Sequence, residues 1–169
     1  MAGRANSSTP GLIASAIVFG IATATILGAL AFEHIGNYAP CPLCLEQRYA
    51  YYFAVPASAA VYIFAEYNFG TAARILLALI AVAFLVNAGL GTYHAGIEWD
   101  LWEGPASCSG GTAIEWGEGG LSQQLESVQV VRCDVAALHV LGFSLPVWNA
   151  LISLALAGIA LVGATQWRR

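Results

Sequence analysis

Four long apolar runs, residues 12–32, 45–65, 75–93 and 145–164, alternate with polar segments along the chain. Each approaches the roughly 20 residues that an α-helix needs to cross a bilayer. The pattern therefore predicts an all-α membrane protein, a four-transmembrane-helix bundle forming a single membrane domain over 1–169, with external loops 33–44 and 94–143. The first run follows Arg4 and the polar stretch Asn6 to Pro10. It is longer than the apolar core of about 7 to 15 residues in a secretory signal, so an uncleaved helix is expected despite the Ala29-Leu30-Ala31 triplet. Ala16, Gly20, Ala24 and Gly28 recur every fourth residue, either as a stripe for close helix approach or as simple abundance of small residues.

Pro56 lies inside the second run, where it removes a backbone donor and predicts a kink. Ser144 and Pro146 form a start signal for the fourth. Trp148 and Trp167 bracket that run about 28 Å apart along a helix axis, as an interfacial aromatic belt requires. The long loop sets Trp99, Trp102 and Trp116 among glycines. Within it Leu121, Leu125, Val128 and Val131 predict a short amphipathic helix on the membrane surface, and Asp134 a second short helix. A loop of this length is expected to have a role.

Composition agrees with a membrane protein. Of 169 residues, 59% are hydrophobic and 9% charged, against about 25% charged in soluble domains. Six arginines against ten carboxylates give a net charge of −4, which argues against a nucleic-acid partner. Sorted by side, Arg4, Arg74, Arg168, Arg169 and Glu66 lie on one face, net +3. Arg48, Arg132 and the other nine carboxylates lie on the opposite face, net −7. The positive-inside rule then predicts cytoplasmic termini.

All four cysteines fall on the external side, where an oxidising compartment favours disulfides. Cys41-Pro42-Leu43-Cys44 opens the second run. A helix N-terminus stabilises a thiolate, and a disulfide across two residues is a poor staple, so this pair points to redox chemistry. Cys108 and Cys133 enclose 24 residues, a span that suits either a structural bridge or a mobile carrier pair. Arg48 follows Cys44 by one helical turn and opposes the helix dipole. Its cation suits a thiolate and a carbonyl oxygen of a lipid-soluble oxidant. The plain alternative is that it snorkels or pairs with a carboxylate such as Glu46.

Other classes have weaker support. His34, His94 and His139 are external and admit a haem- or quinone-binding anchor. A non-enzymatic tetraspan with structural disulfides is opposed by the tight C-x-x-C. No metal site is expected, since zinc ribbons need a second close cysteine pair. Asn87 and Asn149 read as interhelical hydrogen-bond partners. Tyr49, Tyr51, Tyr52 and Phe53 suit either a quinone pocket or an aromatic belt.

With Cys41-Pro42-Leu43-Cys44-Leu45-Glu46-Gln47-Arg48, then Gly104 to Cys108 and Arg132-Cys133-Asp134, the sequence resembles the disulfide bond formation protein B (DsbB) family over nearly its whole length. The resemblance implies a bacterial inner-membrane thiol:quinone oxidoreductase with periplasmic cysteine loops. Such an enzyme reoxidises a thioredoxin-like partner of the DsbA type and passes electrons to ubiquinone or menaquinone. It also implies that Cys108 takes the mixed disulfide with the partner, that Cys133 attacks Cys41, and that Cys44 is left facing the quinone beside Arg48. The family places a histidine near the quinone at the external end of the third span, for which His94 is the candidate.

Overall fold

The computed structural model describes residues 9–108 and 132–167. Its elements are α1 (Thr9–His34), α2 (Pro42–Glu66), α3 (Gly70–Glu98), a 3₁₀ turn (Ala106–Cys108), a hairpin of β1 (His139–Val140) and β2 (Phe143–Ser144), and α4 (Leu145–Gln166). The expected amphipathic pattern at Leu121 to Val131, Trp116, and the charges Arg4, Arg168 and Arg169 lie outside the described residues.

Local chemistry sets the helix ends beyond the apolar runs. Cys41 caps α2 in an extended conformation with Pro42 just inside, where a missing N–H costs nothing. Helix α2 then continues through Pro56. Asn68 and Asp100 take left-handed φ values of 58° and 55° just after α2 and α3. There the N–H groups of Phe69 and Leu101 bond Phe64 O and Gly96 O at 2.7 and 2.9 Å. This closure satisfies orphan carbonyls and holds the α2–α3 link to residues 67–69. It also carries α3 five residues past the predicted boundary, so that His94 lies within the helix.

The helices form a ring in which α2 and α4 each pack on α1 and α3. The central core contains Val18, Ala22, Tyr51, Phe84, Leu156 and Ala160. Outward faces carry apolar side chains such as Ile13, Leu79, Val86 and Leu154, as lipid contact requires. Helices α1, α3 and α4 are long and apolar enough to cross a membrane, which makes this a multi-pass membrane protein. The predicted second span, α2, is long enough at 25 residues but less apolar. Its four tyrosines and the Glu46-Gln47-Arg48 segment account for the difference.

Three sequence expectations change. Ala16, Gly20 and Ala24 are exposed, and a Cβ at Gly20 or Gly28 would meet nothing within 4 Å, so that stripe faces outward. Close approach occurs instead at Gly11, where a Cβ would lie 2.1 Å from the Trp167 ring. Trp167 is buried against the starts of α1 and α3 rather than facing outward. The short helix expected at Asp134 does not form. Arg132 binds both carboxylate oxygens of Asp134, its Nε at 2.9 Å from Oδ1, and leaves no free cap. The chain bends there and runs into the hairpin, which pairs His139 with Ser144.

Candidate active site at the α2 N-terminus

Cys41 is 4% exposed and Cys44 half-buried one turn into α2. Their sulfurs hydrogen-bond at 2.9 Å, and the Cys44 backbone N–H donates to Cys41 Sγ at 3.2 Å. The hydrogen bond with Cys44 is the main cause that pulls the Cys41 thiol down from 9.0 to about 5, with His94 adding to it and burial opposing it. In the dithiol form the favoured thiolate is therefore Cys41.

His94, 2% exposed on α3, brings its Nε2 to 3.7 Å from Cys41 Sγ. The donor atoms of Cys41, Cys44 and His94 all lie within 4.8 Å of one another. Behind this group Gln47 Nε2 meets His94 Nδ1 at 2.9 Å, and Asn149 Nδ2 donates to Gln47 Oε1 at 2.6 Å. Tyr51 and Asn87 in turn donate to Asn149 Oδ1. Asn87 and Asn149 thus bond across α3 and α4, as their positions in the spans suggested.

Cys108 and Cys133 form a disulfide with a Cα–Cα distance of 5.0 Å. Both are buried, at 4% and 1% exposure, in one apolar cluster with Cys41, Leu43 and Ile97, against which Cys44 packs. Both cysteine pairs are therefore brought together at one end of the bundle. Arg48 lies on the same helix but forms an ion pair with Glu33 of α1 instead of Glu46.

A cavity of about 500 Å³ opens beside these groups. Cys41, Cys44, Arg48 and His94 line it, as do Gln47 and Glu98. Glu98 Oε2 is buried without a hydrogen-bond partner among the described residues. Sequence reasoning missed Gln47, Glu98 and Glu33 as site residues. The available signal was their position, since each is a polar group near the end of a helix on the side of the bundle that carries the cysteines. His139 lies exposed in β1, and neither it nor His34 lines the cavity.

Residues 12–163 match the family model described as Disulfide bond formation protein DsbB. The chain belongs to the DsbB family. It is 36% identical over 85 residues to Disulfide bond formation protein B of Herminiimonas arsenicoxydans, covering 48% of this chain and 51% of that protein. It is 29% identical over 126 residues to the uncharacterized protein RP370 of Rickettsia prowazekii (strain Madrid E), covering 73% of this chain and 70% of that one. No solved structure matches. As a DsbB-family protein the chain is a membrane oxidoreductase that generates disulfides. The haem anchor and the non-enzymatic tetraspan are not favoured.

Proposed function

We propose that the protein is a quinone-dependent thiol oxidase of the bacterial inner membrane. It reoxidises a periplasmic thioredoxin-like partner of the DsbA type and transfers the electrons to ubiquinone or menaquinone. The observation that carries this reading is the packing of both cysteine pairs in one cluster beside the cavity. In this reading α2 is the fourth membrane crossing, both termini are cytoplasmic, and the cysteine loops are periplasmic.

The residues fit a quinone head group. The cavity volume of about 500 Å³ lies within the range of roughly 300 to 1,000 Å³ for small-molecule sites. Its walls are mostly apolar, Arg48 supplies a donor for a carbonyl oxygen, and Glu98 Oε2 suits a hydroxyl. Bound quinone supplies an acceptor for two electrons and two protons.

The chain's own steps are thiol–disulfide exchanges. A partner thiolate attacks Cys108, forming a mixed disulfide and releasing Cys133 as a thiolate. Cys133 attacks Cys41 of an oxidised Cys41–Cys44 pair, and Cys44 leaves as a thiolate beside the cavity that Arg48 lines. The partner's second thiol then displaces Cys108 and departs oxidised. Cys108 attacks Cys133, restoring their disulfide and releasing Cys41. The Cys41–Cys44 dithiol now holds the two electrons, and its reoxidation by quinone completes the cycle.

The test combines purified protein, a short-chain quinone and a reduced thioredoxin-like partner, and follows quinone absorbance. Cys44→Ala and Cys108→Ala should each abolish partner-dependent quinone reduction. Wild-type rates in either variant would overturn the proposal.

A further inference from the structure

The buried amides between α2 and α4 have a direction. A side-chain amide nitrogen can only donate, and an amide oxygen can only accept. Asn149 Oδ1 receives Tyr51 Oη at 2.7 Å and Asn87 Nδ2 at 3.2 Å. Its Nδ2 is thereby turned toward Gln47 Oε1, 2.6 Å away. Gln47 must then present Nε2 to His94, and the 2.9 Å contact to Nδ1 is a hydrogen bond only if Nδ1 accepts. The ring proton is left on Nε2, the nitrogen 3.7 Å from Cys41 Sγ.

We propose that Gln47 and Asn149 are positioning residues that fix the His94 tautomer, so that its Nε2–H is donated to Cys41 Sγ. This rests on the proposed function, in which Cys41 is the thiol released from Cys133. A donor aimed at that sulfur stabilises it as it departs as a thiolate, through a charge-assisted bond. Burial enforces the direction: Gln47, Asn87 and His94 are 6%, 3% and 2% exposed, so water has little access to repair a reversed amide. Reversing Gln47 alone would bring two N–H groups together at Asn149.

The same polarity opposes a soft metal at Cys41, Cys44 and His94, although their donor atoms lie within 4.8 Å. Such an ion needs the Nε2 lone pair, and the amides direct a proton there instead. The titratable groups facing His94 are Cys41 and Cys44 from the start of α2 and Glu98 from its own helix.

The experiment uses the full-length chain in lipid nanodiscs, reduced with dithiothreitol, with His34→Gln and His139→Gln leaving a single imidazole. Nitrogen-15 NMR of that ring should show the proton on Nε2. A proton on Nδ1 in this otherwise native protein overturns the proposal. Gln47→Glu replaces the donor with an acceptor and should move the proton to Nδ1. An unmoved tautomer in Gln47→Glu overturns it as well. This readout does not use quinone turnover, so failure of the functional reading is detected separately.

Discussion

Arg48 of α2 is ion-paired with Glu33 in the last turn of α1. Their side chains are 12% and 25% exposed. An isolated guanidinium at this depth is costly, and the carboxylate neutralises it while tying the end of α1 to the start of α2. The cation still lines the cavity, and Glu33 holds it there.

Arg48→Ala should therefore raise the apparent KM for a short-chain quinone by about tenfold, the loss of one charge-assisted hydrogen bond. Glu33→Gln should shift KM the same way by less, because the guanidinium remains but is no longer held. Steady-state kinetics with varied quinone check both. Unchanged quinone kinetics in Arg48→Ala would refute the role given to it.

Features set by local period and spacing are legible in the sequence: apolar runs mark the helices, and the C-x-x-C with Arg48 marks residues that line one cavity. That Glu33, fifteen residues before Arg48, is its partner is not legible there, because the pairing depends on how α1 meets α2. The Gln47–Asn149 bond joins residues 102 apart and is hidden for the same reason. Trp167 reads as an aromatic-belt residue from its spacing to Trp148 across the fourth run. Its place in a buried cluster with Val61, Ala73, Leu77 and Ala164, with Gly11 and Gly70 against the ring, depends on how the helices meet.

Two glycines of α1 test that packing. A Cβ at Gly11 would lie 2.1 Å from Trp167 Cε3, whereas one at Gly20 meets nothing within 4 Å. Gly11→Ala should cost about 1 to 3 kcal/mol by displacing the indole. Gly20→Ala should be neutral or stabilise by about 0.5 to 1 kcal/mol through helix propensity. Thermal unfolding in detergent distinguishes the two, and equal midpoints would contradict the assigned faces of α1.

Cys41 gives a pH dependence with a definite sign. Its thiol is lowered from 9.0 to about 5, chiefly by the hydrogen bond with Cys44. A depressed acid contributes stability that is complete above its unfolded value of 9.0 and is lost as pH falls through about 5. The dithiol form should thus lose stability between these values on acidification. Peptide-resolved alkylation of the reduced protein should give a Cys41 midpoint near pH 5. In Cys44→Ala that midpoint should rise, and an unchanged one would remove the thiol–thiol hydrogen bond as its cause.

The Cys108–Cys133 disulfide presents an access problem for any partner, because its two residues are only 4% and 1% exposed. Attack on a disulfide requires the incoming thiolate to reach the sulfur in line. Leu43 and Ile97 cover the pair from α2 and α3, so exchange requires the segment at Cys108 to lift from this cluster. Local opening of this kind has its own free energy, below that of global unfolding. Reduction of Cys108–Cys133 should then saturate as thiol concentration rises, the plateau being the opening rate. Leu43→Ala removes apolar cover at the cost of a few kcal/mol of packing. It should accelerate reduction at low thiol by about tenfold or more, provided at least about 1.4 kcal/mol of that loss falls on the closed state. Stopped-flow reduction by dithiothreitol or by the reduced partner measures both effects. A rate that remains linear in thiol and is the same in Leu43→Ala would mean that the sulfurs are reached without opening.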